Sequence, residues 1–313
     1  MPRLIIDTDP GVDDAFALCL AARSPEVDLL AVTTVFGNVS LESTTRNALR
    51  LMALCGREDV PVAAGAARPL VHPQAAEGKA AHGEDGLSGG ADLLPARTRG
   101  AEPVGAVELM ARVLRASPTP VTIVPIGPLT NIALLLATHP ELAPRIERLV
   151  IMGGGLAGGN ATSAAEFNIW SDPEAARRVL VEESVPTVLV PMDLTYRCRV
   201  DADWLSRLAA SGPLGATLTA LTGSYRAHYS ELMNFDGMVI HDAVAVAEAV
   251  CPGILRTERL PVRVETAFGP ARGATLADRR LTQYNDTTSA RAIDVAVDAE
   301  LASLREFILL GLS

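Results

Sequence analysis

Cysteine is scarce and scattered in this chain. Cys19, Cys55, Cys198 and Cys251 form no CxxC pair and no cluster with histidine. That argues against a disulfide framework or a zinc site, and for free thiols in a reducing compartment. No run of about 20 apolar residues is available to span a bilayer. No basic segment leading into an apolar stretch marks a secretory leader, so a cytoplasmic location is expected. Clusters of Lys and Arg are missing too. The 313 residues carry 27 Lys plus Arg against 37 Asp plus Glu, a formal net charge of −10, and the isoelectric point is near 5.0. This balance argues against nucleic acid or anionic membrane as a partner, since both are gripped through basic clusters. A neutral small molecule or a cation remains open.

What is present is a chain with enough apolar content, 49%, to bury a large core. Short apolar runs at Leu4–Asp7, Leu29–Phe36, Val60–Ala64, Val121–Ile126, Leu149–Met152 and Thr187–Met192 alternate with amphipathic stretches. The stretches are Leu41–Cys55, Val104–Leu114, Leu129–Ala137 and Pro173–Glu182. Alternating units of this kind predict an α/β fold: a largely parallel central sheet flanked by helices, with the active site at the carboxyl ends of the strands. Several strands end in polar or Gly-rich turns that should line one rim: Asp7-Thr8-Asp9, Gly37-Asn38, Gly127-Pro128, Gly153-Gly154-Gly155 and Asp193. Residues 66–100 form a long Gly-, Pro- and Ala-rich connection around His82-Gly83-Glu84-Asp85-Gly86; such a connection is usually functional or disordered. Leu214–Asp236 reads as a helix, followed by His241-Asp242 and a helix over Ala243–Val250. The final third, Ile254–Glu265, Ala290–Val297 and Leu301–Leu312, reads as a smaller addition of strands and one helix. With no internal repeat or low-complexity linker, one domain over 1–313 is expected.

The densest chemistry lies at the start, where Asp7, Asp9, Asp13 and Asp14 fall within eight residues. A strand runs there through Pro10-Gly11 into an apolar-periodic helix, Ala15–Ala22. So much negative charge at one spot repels itself. The free N–H groups and dipole of a helix start offset part of the cost. A bound hard cation would offset far more, and an all-oxygen donor set points to Ca²⁺ or Mg²⁺ rather than zinc. The plainer alternative, capping residues only, accounts for one or two acids but not for four.

The opening DTDPGVDDA, then Pro125-Ile126-Gly127-Pro128-Leu129-Thr130-Asn131, then Glu166-Phe167-Asn168 with Asp172-Pro173-Glu174-Ala175-Ala176, then His241-Asp242-Ala243-Val244 together resemble the inosine–uridine preferring nucleoside hydrolases. The likeness runs from near residue 3 to beyond residue 250, in the family's order and spacing. It implies one α/β domain, a tightly bound Ca²⁺, hydrolysis of the N-glycosidic bond of ribonucleosides in purine and pyrimidine salvage, and a homodimer or homotetramer.

The same resemblance assigns residues. Asp9, Asp14 and Asp242 would supply carboxylates to Ca²⁺, and the backbone carbonyl of Ile126 a further oxygen. Three carboxylates and a carbonyl leave room for a water and two sugar hydroxyls in a shell of six to eight oxygens. Asp9 would act as general base on the calcium-bound water. Asp13 would accept a hydrogen bond from the ribose 2′-hydroxyl, a contact that strengthens as the sugar becomes oxocarbenium-like. Asn38, Asn160, Glu166 and Asn168 match ribose-binding positions; Met152, read from its own place at a strand end before Gly153-Gly154, would pack under the sugar or serve core packing alone. Asp7 is read as a support behind the loop, and Asn131 as a structural helix-start residue. His241 would protonate or orient the leaving base. His82, in the long loop, would reach the base when that loop closes over the site.

Tyr225, His228 and Tyr229 share one helical face. The two tyrosines match those of broad-range members, which favours a broad inosine/uridine preference; pyrimidine-preferring hydrolysis is the alternative. Two other readings compete. Asp7-Thr8-Asp9 superficially resembles the acid pair of a Mg²⁺-dependent phosphotransferase, but no Lys or Arg stands near it to clamp phosphate. A non-catalytic nucleoside sensor on the same scaffold is the third, because fold does not fix function.

Overall fold

The computed structural model describes residues 1–73, 76–280 and 290–313. Residues 74 and 75, inside the long connection read from the sequence, lie outside the described set. Strands are β1 (Arg3–Thr8), β2 (Asp28–Thr34), β3 (Val62–Ala64), β4 (Val121–Pro125), β5 (Ile146–Met152), β6 (Thr187–Val190), β7 (Arg199–Asp201), β8 (Gly237–Val239), β9 (Leu255–Val264), β10 (Thr275–Ala277) and β11 (Arg291–Ala299). Helices in the first half are α1 (Val12–Arg23), α2 (Leu41–Leu54), α3 (Lys79–His82), α4 (Ala106–Ala116) and α5 (Thr130–Thr138). They are followed by α6 (Phe167–Ser171), α7 (Pro173–Arg177), α8 (Met192–Thr195), α9 (Ala202–Ala210), α10 (Pro213–Ala220), α11 (Gly223–Met233), α12 (His241–Val250) and α13 (Leu301–Leu312).

Among the described residues nine strands form one sheet in the order β10-β9-β11-β6-β5-β4-β1-β2-β3, and β7 and β8 pair as a separate antiparallel ribbon. From β3 across to β11 every neighbouring pair is parallel, and β9 and β10 then pair antiparallel at the edge. The last third of the chain therefore extends the main sheet. The near-continuous apolar strands follow from burial on both faces. Leu4, Ile6, Val124 and Val150 join one core with α1, α12 and α13, while Ile5, Ile123, Leu149 and Ile151 join a second core with α4, α5 and α7. No helix among the described residues is long and apolar enough to cross a membrane.

Several boundaries shift by a few residues, as where β3 starts at Val62 after Pro61, and three stretches differ in kind. The strand read as Thr187–Met192 stops at Val190, because Pro191 has no N–H for the ladder, and α8 begins there. The tract Leu214–Asp236 is two helices, broken where Thr222 turns its hydroxyl back onto the Thr219 carbonyl (2.8 Å). Pro173–Glu182 is α7 followed by a π-turn over Arg178–Glu182. The long connection is knitted around Asp85, whose carboxylate accepts the N–H groups of Leu87, Gly89 and Ala91. All four cysteines are free, yet Cys19 of α1 and Cys55 at the end of α2 hold their sulfurs 3.2 Å apart.

Candidate active site

The chain winds from β1 through β2 to β3 on one side and from β4 through β5 to β6 on the other. The adjacent carboxyl ends of β1 and β4 therefore open a crevice, the topological switch point at which such sheets bind ligands. Asp9 follows β1 and Ile126 follows β4. Helices α1 and α12 pack side by side across this point. Their first turns bring Asp13, Asp14 and Asp242 together, with carboxylate oxygens within 4.8 Å of one another. Helix N-termini favour anions there.

Asp9 is fully buried and stands beside that triple rather than in it. Its Oδ2 accepts the Asn38 N–H at 2.8 Å, while its Oδ1 is buried with no hydrogen-bond partner among the described residues. Gly37 and Gly127 press on the carboxylate from two sides: a methyl at 127 would lie 2.5 Å from Oδ1, and one at 37 would overlap Oδ2. Asp14 is held by the Thr8 hydroxyl (2.5 Å), the Gly11 N–H (2.9 Å) and the Asn38 side-chain amide (3.2 Å). The expected carboxylate set, Asp9, Asp14 and Asp242, thus differs from the tightest cluster, which has Asp13 in place of Asp9. The cause is that residues 13 and 14 both sit in the first turn that faces α12, whereas Asp9 is still on the strand exit.

Burial first, and then the neighbouring carboxylates, raise Asp9 and Asp242 well above the ordinary range. Burial and Asp14 push Asp13 up to about 8. Asp14, raised by burial, lies close enough to Asp242 to hydrogen-bond with it. Carboxylates this close cannot all be charged unless a cation joins them. The orphaned Asp9 Oδ1, the triple and the Ile126 carbonyl are all-oxygen donors, which fits a hard cation of the Ca²⁺ or Mg²⁺ type. The Asn168 side-chain amide donates to that carbonyl (3.1 Å) and to the Met152 carbonyl (3.2 Å), which fixes both at the rim.

Above this floor opens a cavity of ≈ 540 Å³. Of the residues expected to bind substrate, Asp13, Asn38, His82, Met152, Asn160, Glu166, Asn168, Tyr225, Tyr229 and His241 all line it, together with Ile126 and Asp242. Asp9 and Asp14 lie beneath. Asn38 commits its amide hydrogens to the Asp9 carbonyl (3.1 Å) and to Asp14, so it braces the carboxylates as well as lining the wall. Glu166 caps α6, its oxygens accepting the N–H groups of Asn168, Ile169 and Gly154. Burial still raises it above the usual carboxylate range. Asn131, expected to be structural, ties Asp7 (2.8 Å) to the Thr34 carbonyl (3.0 Å) one layer below. Burial raises Asp7 to about 7.

Of the three histidines that line the cavity, His82 and His241 are buried, which favours the uncharged ring. Burial lowers His82 to about 3, helped by His241 and His228, and burial alone lowers His241 to about 3. His82 accepts the Val12 N–H at its Nδ1 (3.0 Å). It thereby caps α1, whose own cap residue, Gly11, has no side chain to do so; the remaining N–H of His82 is Nε2. His241 has Tyr229 Oη 2.7 Å from Nε2 and Thr195 Oγ1 2.6 Å from Nδ1. Tyr225 stacks 4.8 Å from His82 and 5.0 Å edge-on from Tyr229, so α11 forms one wall. Thr195, Tyr196, Leu232 and Met233 were not singled out from the sequence and Phe167 was read only as part of a motif, although Phe167, Tyr196, Leu232 and Met233 also line the cavity. The strand end at Asp193 was the available signal for Thr195 and Tyr196, which follow it by two and three residues.

A sequence model of the family described as Inosine-uridine preferring nucleoside hydrolase matches residues 4–304. The chain is 41% identical over 294 residues to the pyrimidine-specific ribonucleoside hydrolase RihA of Citrobacter koseri, covering 93% of each chain. It is 42% identical to RihA of Salmonella enteritidis over the same span. Among solved structures it resembles the plant nucleoside hydrolase PpNRh1 (TM-score 0.93, 31% identity, 99% of this chain and 98% of that one). It also resembles a purine-preferring ribonucleoside hydrolase from Gardnerella vaginalis (TM-score 0.89, 30% identity, the same coverage).

Proposed function

We propose, since the chain belongs to the inosine-uridine preferring nucleoside hydrolase family and is a ribonucleoside hydrolase that cleaves the N-glycosidic bond, that it is a Ca²⁺-dependent enzyme of broad inosine/uridine preference with Asp9 as its general base. The observation that carries this reading is the orphaned Asp9 oxygen beside the Asp13, Asp14 and Asp242 cluster, at the floor of a cavity in the size range of small-molecule sites. Asp9, Asp14, Asp242 and the Ile126 carbonyl are the groups that would hold the ion. When bound, Ca²⁺ would neutralise the carboxylates and orient a vicinal diol and the attacking water.

The chain's own residues do the rest. Asp9 takes a proton from the water that adds to C1′. Asp13 accepts from the 2′-hydroxyl, favouring positive charge on the sugar. Asn160, Glu166 and Asn168 hold the other hydroxyls, with Met152 beneath the ring. The C1′–N bond breaks with its electron pair going to the base, and overall the water proton replaces the lost bond there. Tyr229 hydrogen-bonds the departing base and His241 orients that tyrosine from behind through Nε2, with Tyr225 and His82 along the side of the base. Neutral imidazoles suit this role, since a neutral N–H can stabilise developing charge without first storing a proton. Among the described residues no Lys or Arg lines the cavity, which weighs against a phosphorylated substrate and the phosphotransferase reading.

A second reading is favoured by one observation: relatives at 41–42% identity are named as pyrimidine-specific. Ribose release from inosine, adenosine, uridine, cytidine and ribosylnicotinate, before and after chelator dialysis, tests both. The expected result is chelator-sensitive release from inosine and uridine, restored by Ca²⁺. Release from uridine and cytidine alone would establish the pyrimidine-specific reading. Binding without release would revive the sensor.

A further inference from the structure

Thr195, the last residue of α8, is fully buried against His241, itself 6% exposed. Its hydroxyl lies 2.6 Å from His241 Nδ1 and 3.3 Å from the carbonyl oxygen of Met192. On the far side of the ring, Tyr229 Oη is 2.7 Å from Nε2. A neutral imidazole carries one N–H, so one ring nitrogen donates and the other accepts. Both neighbours are hydroxyls, which can do either. Two observations decide the direction. The other acceptor in reach of the Thr195 hydroxyl, the Met192 carbonyl, is 3.3 Å away, long for an O–H donor, whereas Nδ1 at 2.6 Å is within an O–H donor's range. The Met192 carbonyl, moreover, already accepts the Tyr196 N–H at 2.9 Å. The Thr195 proton therefore belongs on Nδ1, and the ring hydrogen on Nε2.

We propose that Thr195 is a positioning residue for the leaving group: by donating to Nδ1 it holds His241 as the Nε2–H tautomer, so that Nε2–H donates to Tyr229 and the Tyr229 proton is free to point at the base. Every donor in the chain Thr195, His241, Tyr229 then runs toward the cavity, and hydrogen bonds aligned head to tail strengthen one another. With the opposite tautomer, Tyr229 would direct its proton at Nε2 and offer the base only lone pairs. The inference rests on the reading that His241 and Tyr229 serve the departing base.

Long-range ¹H–¹⁵N correlation spectra of histidine-labelled holoenzyme report the tautomer, with His241 assigned by its loss in His241→Asn. The wild type should show Nε2–H. Thr195→Val, which keeps shape and removes the donor, should lose that pattern and lower kcat/KM for inosine at least ~10-fold. It should change cleavage of p-nitrophenyl riboside, whose leaving group needs no donor, less than ~3-fold, as expected when only a leaving-group contact is lost. Thr195→Ser should restore both. An Nδ1–H wild type overturns the inference whether or not the valine variant folds. So does an unchanged spectrum in Thr195→Val, or equal losses on the two substrates. His241→Ala separates the layers. If it discriminates between the substrates while Thr195→Val does not, only the role of Thr195 falls. If it fails to discriminate, the leaving-group reading falls and takes this inference with it.

Discussion

Replacing Gly127 by alanine puts a methyl group 2.5 Å from Asp9 Oδ1, 3.0 Å from its Cγ and 3.1 Å from Val35 Cγ1. The shortfall from ordinary van der Waals contact is about 0.9 Å. Asp9 cannot yield by swinging away, because Gly37 closes on its other oxygen and the Asn38 N–H holds that oxygen at 2.8 Å. The carboxylate, or the β4 exit carrying Ile126, must shift. Overpacking of this kind costs about 2 kcal/mol, which denaturant unfolding will read as a lower midpoint at unchanged slope. The larger effect is on chemistry. Displacing a reacting group by nearly an ångström lowers kcat by ~50-fold, on the rule that 1 Å is worth about 100-fold. Gly105→Ala is the control, since a methyl there meets nothing closer than the Ala64 carbonyl at 3.7 Å. Ribose release should collapse in Gly127→Ala and stay within a factor of two in Gly105→Ala, about the effect of a few tenths of a kcal/mol. A folded Gly127→Ala enzyme with wild-type kcat would refute the claim that the Asp9 carboxylate is held in a fixed place for catalysis.

Asp9→Ala should abolish turnover, by at least ~1,000-fold given loss of both a base and a ligand, while circular dichroism stays native; near-normal activity would sink the mechanism. Arg148→Ala leaves Glu248, buried and paired with Arg148 at 2.9 Å, only the N–H groups of Gly253 and Leu255. The loss should be about 3 kcal/mol, seen as a Tm lowered by ~5 °C, with 25 °C activity intact because the pair sits at the opposite end of β5 from the site. A thiol reagent at pH 8 should label exposed Cys251 first and leave Cys198 untouched: burial raises Cys198 to about 12, so its thiolate is nearly absent until the fold opens. Simultaneous reaction of all four thiols would contradict this burial pattern. Oxidised glutathione should link Cys19 to Cys55, whose sulfurs lie 3.2 Å apart. Peptide mapping that finds both thiols free would refute the expected link.

Much of the architecture was written locally. Apolar runs of four to eight residues between amphipathic stretches announced β1, β2, β4, β5 and the helices after them, because strands buried on both faces need uninterrupted apolar residues. The acidic opening at Asp7–Asp14 and the pair His241-Asp242 were legible for a different reason. Buried like charges are costly, so a sequence retains them only where something compensates. The break at Thr222 and the strand stop at Pro191 were less visible, since each turns on one hydrogen bond or one missing N–H against an otherwise continuous pattern.

The sequence by itself determined which chemical groups the protein could bring to a site: carboxylates, amides and imidazoles at strand ends, with no basic cluster to hold phosphate. Only the tertiary structure decided who meets whom. Asp13 and Asp242 lie 229 positions apart in the chain, and their proximity exists because α1 and α12 start at the same crevice. The partners of His241 come from α8 and α11, and the cap of α1 is a histidine at the end of the distant α3. Cysteines that look isolated along the chain touch across two helices. Local propensity and periodicity act over a few residues. Proximity, burial and the direction of a shared proton are properties of packed elements, and no stretch of sequence contains them.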